Sequence, residues 1–181
     1  MLHVNSYRQA ASLAILGGLL FSVRAACVRT PITGVPRAAR VDAQIYRGGQ
    51  PTRFGFQNLA KKGIKTVLDL REISESSFRE RQEVQSLGMR YIQIPLHDDR
   101  PPRPADVQKA LAVLEDTAQG PVFVHCDGGR DRTGMIIACY RIAHDHWTNA
   151  QALEESRSCA SRHLKSAMQR WILSFTPSKG S

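Results

Sequence analysis

The chain has 181 residues, 42% hydrophobic and 23% charged, which is the composition of an ordinary one-domain globular protein. Four cysteines in this length exclude a disulfide-dense scaffold, and no apolar run reaches the roughly 20 residues of a comfortable membrane span. The net charge of +9 suits an anionic partner, but the basic residues are scattered, so we expect no nucleic acid partner.

Residues 1–25 have the pattern of a secretory signal peptide. A basic start precedes an uncharged stretch at 10–23, and small residues lead to a cleavage site after Ala25. The pattern predicts a periplasmic or secreted protein. The alternative is an uncleaved membrane anchor, the one case in which we expect membrane contact. Lipid attachment at Cys27 is disfavoured, because Arg24 stands where a lipoprotein signal has an apolar residue.

The remaining chain divides into a linker, a domain and a tail. Residues 26–40 contain prolines and arginines without an apolar period, which indicates a linker before a domain at 41–176 and a tail at 177–181. Strands are predicted at 43–47, 66–70, 91–94 and 122–124, and helices at 52–62, 76–87, 107–114, 133–144, from 148 onward and through 164–175. This alternation predicts one α/β domain with a mainly parallel central sheet flanked by helices on both faces.

The chemistry is concentrated in the loop after the most apolar strand, where residues 125–134 read HCDGGRDRTG. Ligands of open α/β sheets bind beyond the carboxyl ends of the strands, and a helix amino terminus favours phosphate. The two glycines allow a tight turn whose N–H groups surround an anion, and Arg132 adds a bidentate donor. Cys126 at the base of this positive site is expected to be a thiolate, a nucleophile aimed at a bound phosphorus.

The spacing His-Cys-x5-Arg-Thr-Gly resembles the signature of the cysteine-dependent protein tyrosine and dual-specificity phosphatases. Residues 45–51 (IYRGGQP) and 66–71 (TVLDLR) also look like segments of small bacterial, plant and fungal dual-specificity phosphatases, so the resemblance covers about 41–158. With a signal peptide in front, the chain is most similar to the periplasmic enzymes of Gram-negative bacteria. Rhodanese-like sulfur transferases and arsenate reductases have related loops, but the residues flanking the cysteine and arginine fit the phosphatases better.

The resemblance implies a role for each residue of the loop. Cys126 would form a phosphocysteine intermediate, and Arg132 would bind phosphate and stabilise the transition state. Thr133 would donate a hydrogen bond to the sulfur, and His125 would hold the loop without acting as a base. The phosphate oxygens would be bound mainly by the main-chain N–H groups of Asp127, Gly128, Gly129, Arg130, Asp131 and Arg132.

Such a mechanism needs a general acid for the leaving oxygen, and this family usually places it on a loop about thirty residues before the cysteine. Asp98 and Asp99 stand there. Asp99 is favoured as better placed to reach across the site, and Asp98 is a close alternative. Asp131 is a third candidate, because phosphoinositide phosphatases of the myotubularin kind have an aspartate before the arginine. It could equally be a carboxylate that stabilises the helix dipole.

Other residues are interpreted as structural. Arg47 at a strand end is expected to be an ion-pair partner rather than a substrate-steering group, Asp69 and Arg71 to be structural, and Cys139 to be a small core residue. The cysteines lack the spacing of a zinc site, so no metal is expected, and no cofactor either.

The sequence therefore predicts a phosphomonoester hydrolase acting on phosphotyrosine in proteins, with phosphoserine and phosphothreonine as further substrates. The alternative is an inositol phosphate or phosphoinositide phosphatase with the same loop, which Arg130, Asp131 and the basic charge favour. A phosphate-binding module without catalysis and a sulfur carrier are the remaining hypotheses. We expect a monomer.

Overall fold

The computed structural model describes residues 26–160 and 164–177. The predicted signal peptide at 1–25 lies outside this part, as does most of the tail. The strands are β1 (Val28–Arg29), β2 (Ala39–Arg40), β3 (Ile45–Gly49), β4 (Thr66–Asp69), β5 (Arg90–Gln93) and β6 (Val122–Cys126). The helices are α1 (Arg53–Lys61), α2 (Glu75–Ser86), α3 (Pro104–Glu115), α4 (Asp131–Ala143), α5 (Asn149–Ala160) and α6 (Ser166–Ser174). No helix among the described residues is long and apolar enough to cross a membrane.

The six strands form one sheet in the order β1-β2-β3-β6-β4-β5. Strands β3, β6, β4 and β5 are parallel, and β1 and β2 add an antiparallel edge. One core cluster joins the sheet to α3, α4, α5 and α6, and a second joins it to α1 and α2. The predicted α/β class, with a mainly parallel sheet between helices, is confirmed.

Local sequence signals set the helix ends. Thr52 accepts a hydrogen bond from the Gly55 N–H at 3.1 Å and caps α1. Ser74 forms a capping box at the start of α2. Thr148 and Gln151 exchange backbone-to-side-chain hydrogen bonds before α5, as the predicted capping box requires. These caps fix where the chain leaves each loop.

The segment 26–40 is not a linker, which corrects the sequence prediction. It contributes β1 and β2 to the sheet, it buries Val35 and Ala38 against the core, and a disulfide joins Cys27 to Cys159 at the end of α5. Strands of two residues are too short to display a period of two, so the pattern gave no sign of them. The strand predicted at 43–47 is also shifted by two residues, because β3 begins at Ile45 and continues to Gly49.

Candidate active site

The candidate site lies at the carboxyl end of β6, the central strand. Side chains alternate along a strand, so Val122, Val124 and Cys126 face the core under α3–α6, whereas Phe123 and His125 face the opposite side. After Cys126 the chain turns through four residues and enters α4 at Asp131. The cysteine therefore stands between a strand end and a helix amino terminus, as the sequence predicts.

The loop carbonyls are held from outside the loop. Three successive carbonyl oxygens accept hydrogen bonds: Asp127 from the Gln50 N–H at 3.0 Å, Gly128 from Arg37, and Gly129 from Arg47 at 3.0 Å. The N–H groups of residues 127–130 donate no hydrogen bond to any residue that the structure describes. With the carbonyls turned outward, these N–H groups are left to bind an anion.

Gly129 is needed at this turn. Its φ of 63° is in the left-handed region, and a Cβ there would lie 2.3 Å from the carbonyl carbon and oxygen of Gly48. Gly49 is nearly as constrained, since its Cβ would lie 2.9 Å from the Asp127 oxygen. The loop is thus packed against the backbone of β3, and only glycine permits that approach.

A cleft of about 200 Å³ opens above the loop. Its lining residues are Asp98, Cys126, Asp127, Gly128, Arg130, Asp131, Arg132 and Lys165. Cys126 is 2% exposed, at the bottom of the cleft. The Nε atoms of Arg130 and Arg132 are buried and have no hydrogen-bond partner among the described residues. Donors of this kind suit a phosphate or another oxyanion.

Arg132 carries its charge among anionic groups. Its Nη2 donates to Asp127 at 2.5 Å, and its Nε lies 3.7 Å from Asp98 Oδ1. Burial acts to lower the pKa of Arg132, but the charges of Cys126, Asp127 and Asp98 outweigh it, so the pKa is raised. The guanidinium stays charged beside the cysteine sulfur.

Of the two acid candidates on the loop before α3, the structure brings Asp98 to the site and leaves Asp99 outside it, which corrects the preference for Asp99. Asp98 lines the cleft near Arg132, and Lys165 contacts its carboxylate and donates to its carbonyl oxygen at 2.9 Å. Asp99 is exposed in the same bend and does not line the cleft. In a bend without strand or helix periodicity, sequence position does not decide which of two neighbours turns inward.

Asp131 is engaged in holding the start of α6. Its carboxylate accepts a hydrogen bond from the Lys165 N–H at 2.7 Å, and the residue is buried in the first turn of α4. A carboxylate in the first turn of a helix also interacts favourably with the helix dipole. The geometry therefore favours the structural interpretation over the role of acid, and it explains how Lys165 comes to face Asp98.

Thr133 and His125 differ in their hydrogen bonds: the Thr133 hydroxyl forms none with the described residues, and the His125 ring forms two. Thr133 is buried, and its Oγ1 has no hydrogen-bond partner among the described residues, so the implied bond to the Cys126 sulfur is not formed in this structure. His125 holds the strand end, with Nδ1 3.4 Å from the Cys126 carbonyl oxygen and Nε2 2.7 Å from Glu80.

Arg47 supports the loop from beneath. It is 1% exposed, donates to the Gly129 carbonyl, and lies close to Gly134 in the first turn of α4. Burial lowers the pKa of Arg47 to about 10, against the opposing charges of Glu155 and Cys126. It cannot steer a substrate from that position. Its role is structural: it binds the Gly129 carbonyl oxygen and lies in the field of the Glu155 and Cys126 charges.

A buried cluster of two carboxylates and an imidazole, and a second free cysteine, lie outside the cleft. Asp69, Glu80 and His125 lie close enough for their ligand atoms to hold a metal ion. Arg71 already binds both carboxylates, at 2.6 Å and 2.5 Å, so a guanidinium supplies the positive charge there. Cys139 is a core residue, as predicted, and burial raises its pKa to about 12.

Sequence reasoning missed Arg37, Gln50, Glu80 and Lys165, all of which contact the loop or its neighbours. Each lies far along the chain from its partner, as in the 91 residues between Arg37 and Gly128. The proline-rich context of Arg37 and the charged helical sequence around Glu80 carry no local signal. Lys165 directly precedes the apolar stripe of α6 and could have been found only by placing that helix.

Comparison with known proteins agrees with this geometry. The family model described as "PTP-NADK: DSP-PTPase phosphatase fused to NAD+ Kinase" matches residues 31–172. The dual specificity protein phosphatase TpbA of Pseudomonas aeruginosa is 29% identical over 150 residues, which cover 78% of this chain and 65% of TpbA, so the chain spans less than two thirds of that relative. Inositol diphosphatase DSP5 of Arabidopsis thaliana is 28% identical over 146 residues, covering 77% of this chain and 70% of DSP5.

Solved structures give the same result at the level of the fold. The crystal structure of TpbA superposes with a TM-score of 0.62 and 28% identity over 73% of this chain and 78% of that one. The catalytic domain of the PP-IP phosphatase SIW14 of S. cerevisiae gives a TM-score of 0.70 over 81% of this chain and 89% of that one, at 22% identity, which indicates a shared fold alone. Because the family match spans most of the domain and includes the cysteine loop, the chain belongs to the DSP-PTPase family of cysteine-dependent dual-specificity and tyrosine phosphatases.

Proposed function

We propose that the chain is a phosphatase that hydrolyses phosphotyrosine in proteins, with phosphoserine and phosphothreonine as further substrates, through a phosphocysteine intermediate. The observation that carries the proposal is the loop itself, in which N–H groups without an acceptor among the described residues follow a buried cysteine and precede an arginine at the helix start. The similarity to TpbA supports a protein substrate, since a structure of that protein is a complex with pTyr.

In the first step the Cys126 thiolate attacks phosphorus, and the bond from phosphorus to the ester oxygen breaks. The leaving oxygen takes a proton from the Asp98 carboxyl group, which lines the cleft. The loop N–H groups and Arg132 stabilise the charge on the other phosphate oxygens. The product alcohol departs, and the phosphoryl group stays on sulfur.

In the second step water attacks the phosphocysteine. The Asp98 carboxylate now accepts a proton from that water, the sulfur–phosphorus bond breaks, and inorganic phosphate forms. The electron pair returns to Cys126, which is again a thiolate beside Arg132. Before the first step Asp98 must carry a proton, so displacement of its carboxylate from Lys165 and Arg132 by the incoming phosphate dianion belongs to the cycle.

The test is phosphate release from a phosphotyrosine peptide and a phosphothreonine peptide by the purified protein. We expect Cys126→Ser to abolish turnover and Cys139→Ala, which removes the other free cysteine, to retain it. Asp98→Asn should lower kcat roughly 10²–10⁴-fold, and its neighbour Asp99→Asn should change it little. Equal losses in the two aspartate variants would contradict the assignment of Asp98, and turnover by Cys126→Ser would refute the mechanism.

A second candidate function is hydrolysis of inositol phosphates or phosphoinositides. Arg130 and Lys165 line the cleft together with Arg132, and several cations suit a substrate with more than one phosphate. The relative DSP5 is named an inositol diphosphatase. In the same assay, release from an inositol polyphosphate or a phosphoinositide but not from either peptide would favour this candidate.

We also propose a periplasmic or secreted location and a monomeric state. The signal-peptide pattern at 1–25 supports the location, and so does the Cys27–Cys159 disulfide, because such bonds persist in oxidising compartments. A sulfur in a disulfide is also not available for lipid attachment at Cys27. Cell fractionation and sedimentation test the two statements. Recovery of the protein in the membrane fraction would favour the uncleaved anchor.

A further inference from the structure

A buried ionic cluster lies on the side of β6 opposite to Cys126. His125 is completely buried, and its ring stacks on Phe123, with centroids 5.6 Å apart. Phe56 of α1 contacts the same ring edge-on, at 6.4 Å. The imidazole is therefore fixed by two aromatic rings, and its polar contacts lie only at its two nitrogen atoms.

Glu80 of α2 is the main partner of this histidine. Its Oε1 lies 2.7 Å from His125 Nε2. Its Oε2 accepts from Arg71 at 2.5 Å and from the Gln50 side chain at 2.6 Å. Gln50 in turn donates its backbone N–H to the Asp127 carbonyl of the loop. Glu80 is 5% exposed, so helix α2 places a buried carboxylate directly behind the loop.

Asp69 completes the cluster. Arg71 binds both of its oxygens, and the Tyr91 hydroxyl donates to Oδ2 at 2.7 Å. Burial acts to raise the pKa of Asp69, but the hydrogen bonds and charge of Arg71 and the charge of His125 outweigh it and hold the pKa below its usual value. Burial and the Asp69 charge raise the pKa of Tyr91, which therefore remains a donor. Asp69 Oδ1 lies 4.0 Å from His125 Nε2.

Both nitrogen atoms of His125 face acceptors. A carboxylate and a carbonyl oxygen can only accept hydrogen bonds, and they lie opposite Nε2 and Nδ1 respectively. An imidazole between two acceptors carries a proton on each nitrogen. The charge count agrees, because two buried carboxylates and the guanidinium of Arg71 leave one negative charge that an imidazolium neutralises.

We propose that Glu80 is a positioning residue for the nucleophile, which it serves by holding His125 as a fixed imidazolium adjacent to Cys126. The proposal rests on the proposed function and deepens it. The ring lies on the opposite face of β6 from the sulfur, with Nδ1 3.4 Å from the Cys126 carbonyl oxygen, and from there its positive charge favours the thiolate. Glu80 acts through His125 and also, by way of Gln50, through the Asp127 carbonyl, and it contacts no substrate.

The first test is made on the unaltered protein labelled with ¹⁵N in its histidine rings. The two ring nitrogens of His125, recognised by slow exchange of their buried N–H protons, should both be protonated at pH 7. A neutral ring with one protonated nitrogen would overturn the proposal. This measurement requires neither turnover nor a substituted chain.

The second test compares Glu80→Gln with Glu83→Gln, which removes a carboxylate paired with the exposed Arg53 one turn along the same helix. In Glu80→Gln the glutamine oxygen can still accept from His125, whereas the amide nitrogen takes the place of the oxygen that accepts from Arg71 and Gln50. The substitution therefore removes the negative charge and those two hydrogen bonds. We expect iodoacetamide to alkylate Cys126 about tenfold or more slowly at neutral pH in Glu80→Gln. Glu83→Gln should match the unaltered protein.

The readouts separate this inference from the proposed function. Slower alkylation in Glu80→Gln supports the positioning role even if none of the phosphoesters tested is a substrate. In active protein, kcat should fall with the alkylation rate while KM changes little. Equal alkylation rates in the two folded variants would overturn the proposal. If Glu80→Gln does not fold, the ring protonation of the unaltered protein decides.

Discussion

Removing the Cys27–Cys159 disulfide tests how far the amino-terminal segment is part of the domain. The bond joins residues 132 positions apart. For a closed loop of this length the chain-entropy relation gives about 5 kcal/mol of stabilisation at 25 °C. The two-residue strand β1 is exposed, so without the bond it regains some conformational freedom in the folded state. This gain in entropy reduces the stability lost. We therefore expect a loss of about 3–4 kcal/mol in the free energy of unfolding for Cys27→Ala/Cys159→Ala.

The measurement is urea unfolding at pH 7 without reductant, monitored by tryptophan fluorescence. In thermal unfolding, a loss of this size should lower Tm by about 10 °C in a chain of this length. Unaltered protein treated with reductant is the matched control, and its midpoint should move to that of the double variant. Because the bond does not reach the cleft, kcat should stay within about twofold. A double variant as stable as the oxidised protein would refute the reasoning.

Three further predictions concern single positions. Gly129→Ala should lower phosphate release by roughly 10²-fold or more, because the added Cβ clashes with Gly48 and a displaced loop loses its oxyanion donors; activity above a tenth of normal would contradict this. Iodoacetamide at pH 8 should label one cysteine by peptide mass spectrometry, Cys126, because burial raises the pKa of Cys139 to about 12. The pKa of Asp69 is lowered on folding, so its contribution to stability is present at neutral pH and is lost as the pH falls from about 4 through the folded value. Asp69→Asn should therefore be less stable at pH 7 and lose less stability on acidification, as urea midpoints would reveal.

Local patterns were sufficient for the parts of the site that are contiguous in sequence. The sequence from His125 to Thr133 predicts a strand, a tight turn and a helix, because an apolar strand, two glycines and a helix start follow one another without interruption. The same holds for the helices with capping signals at Thr52 and Thr148. In each case a few neighbouring residues decide the backbone conformation, and no distant contact is needed.

What could not be predicted depends on strand order and on long-range contacts. Glu80 meets His125 across 45 residues, and Cys27 meets Cys159 across 132. These pairs follow from the placement of α2 and α5 around the sheet, which no local period encodes. The choice of Asp98 over Asp99 depends on the path of one bend. Sequence patterning alone therefore located the cysteine loop more reliably than the aspartate that lines the cleft.

The outward anchoring of the loop carbonyls has a consequence for selectivity. A receptor whose shape is set during folding makes the same contacts with the phosphoryl group of any ester, and also with free inorganic phosphate. The product should therefore compete with the substrate, and the loop itself cannot discriminate between one alcohol and another. Discrimination falls to the groups above it, Asp98, Arg130 and Lys165. If the proposed function holds, exchanging side chains at that upper level changes the preference among phosphomonoesters and leaves the proposed hydrolytic chemistry intact.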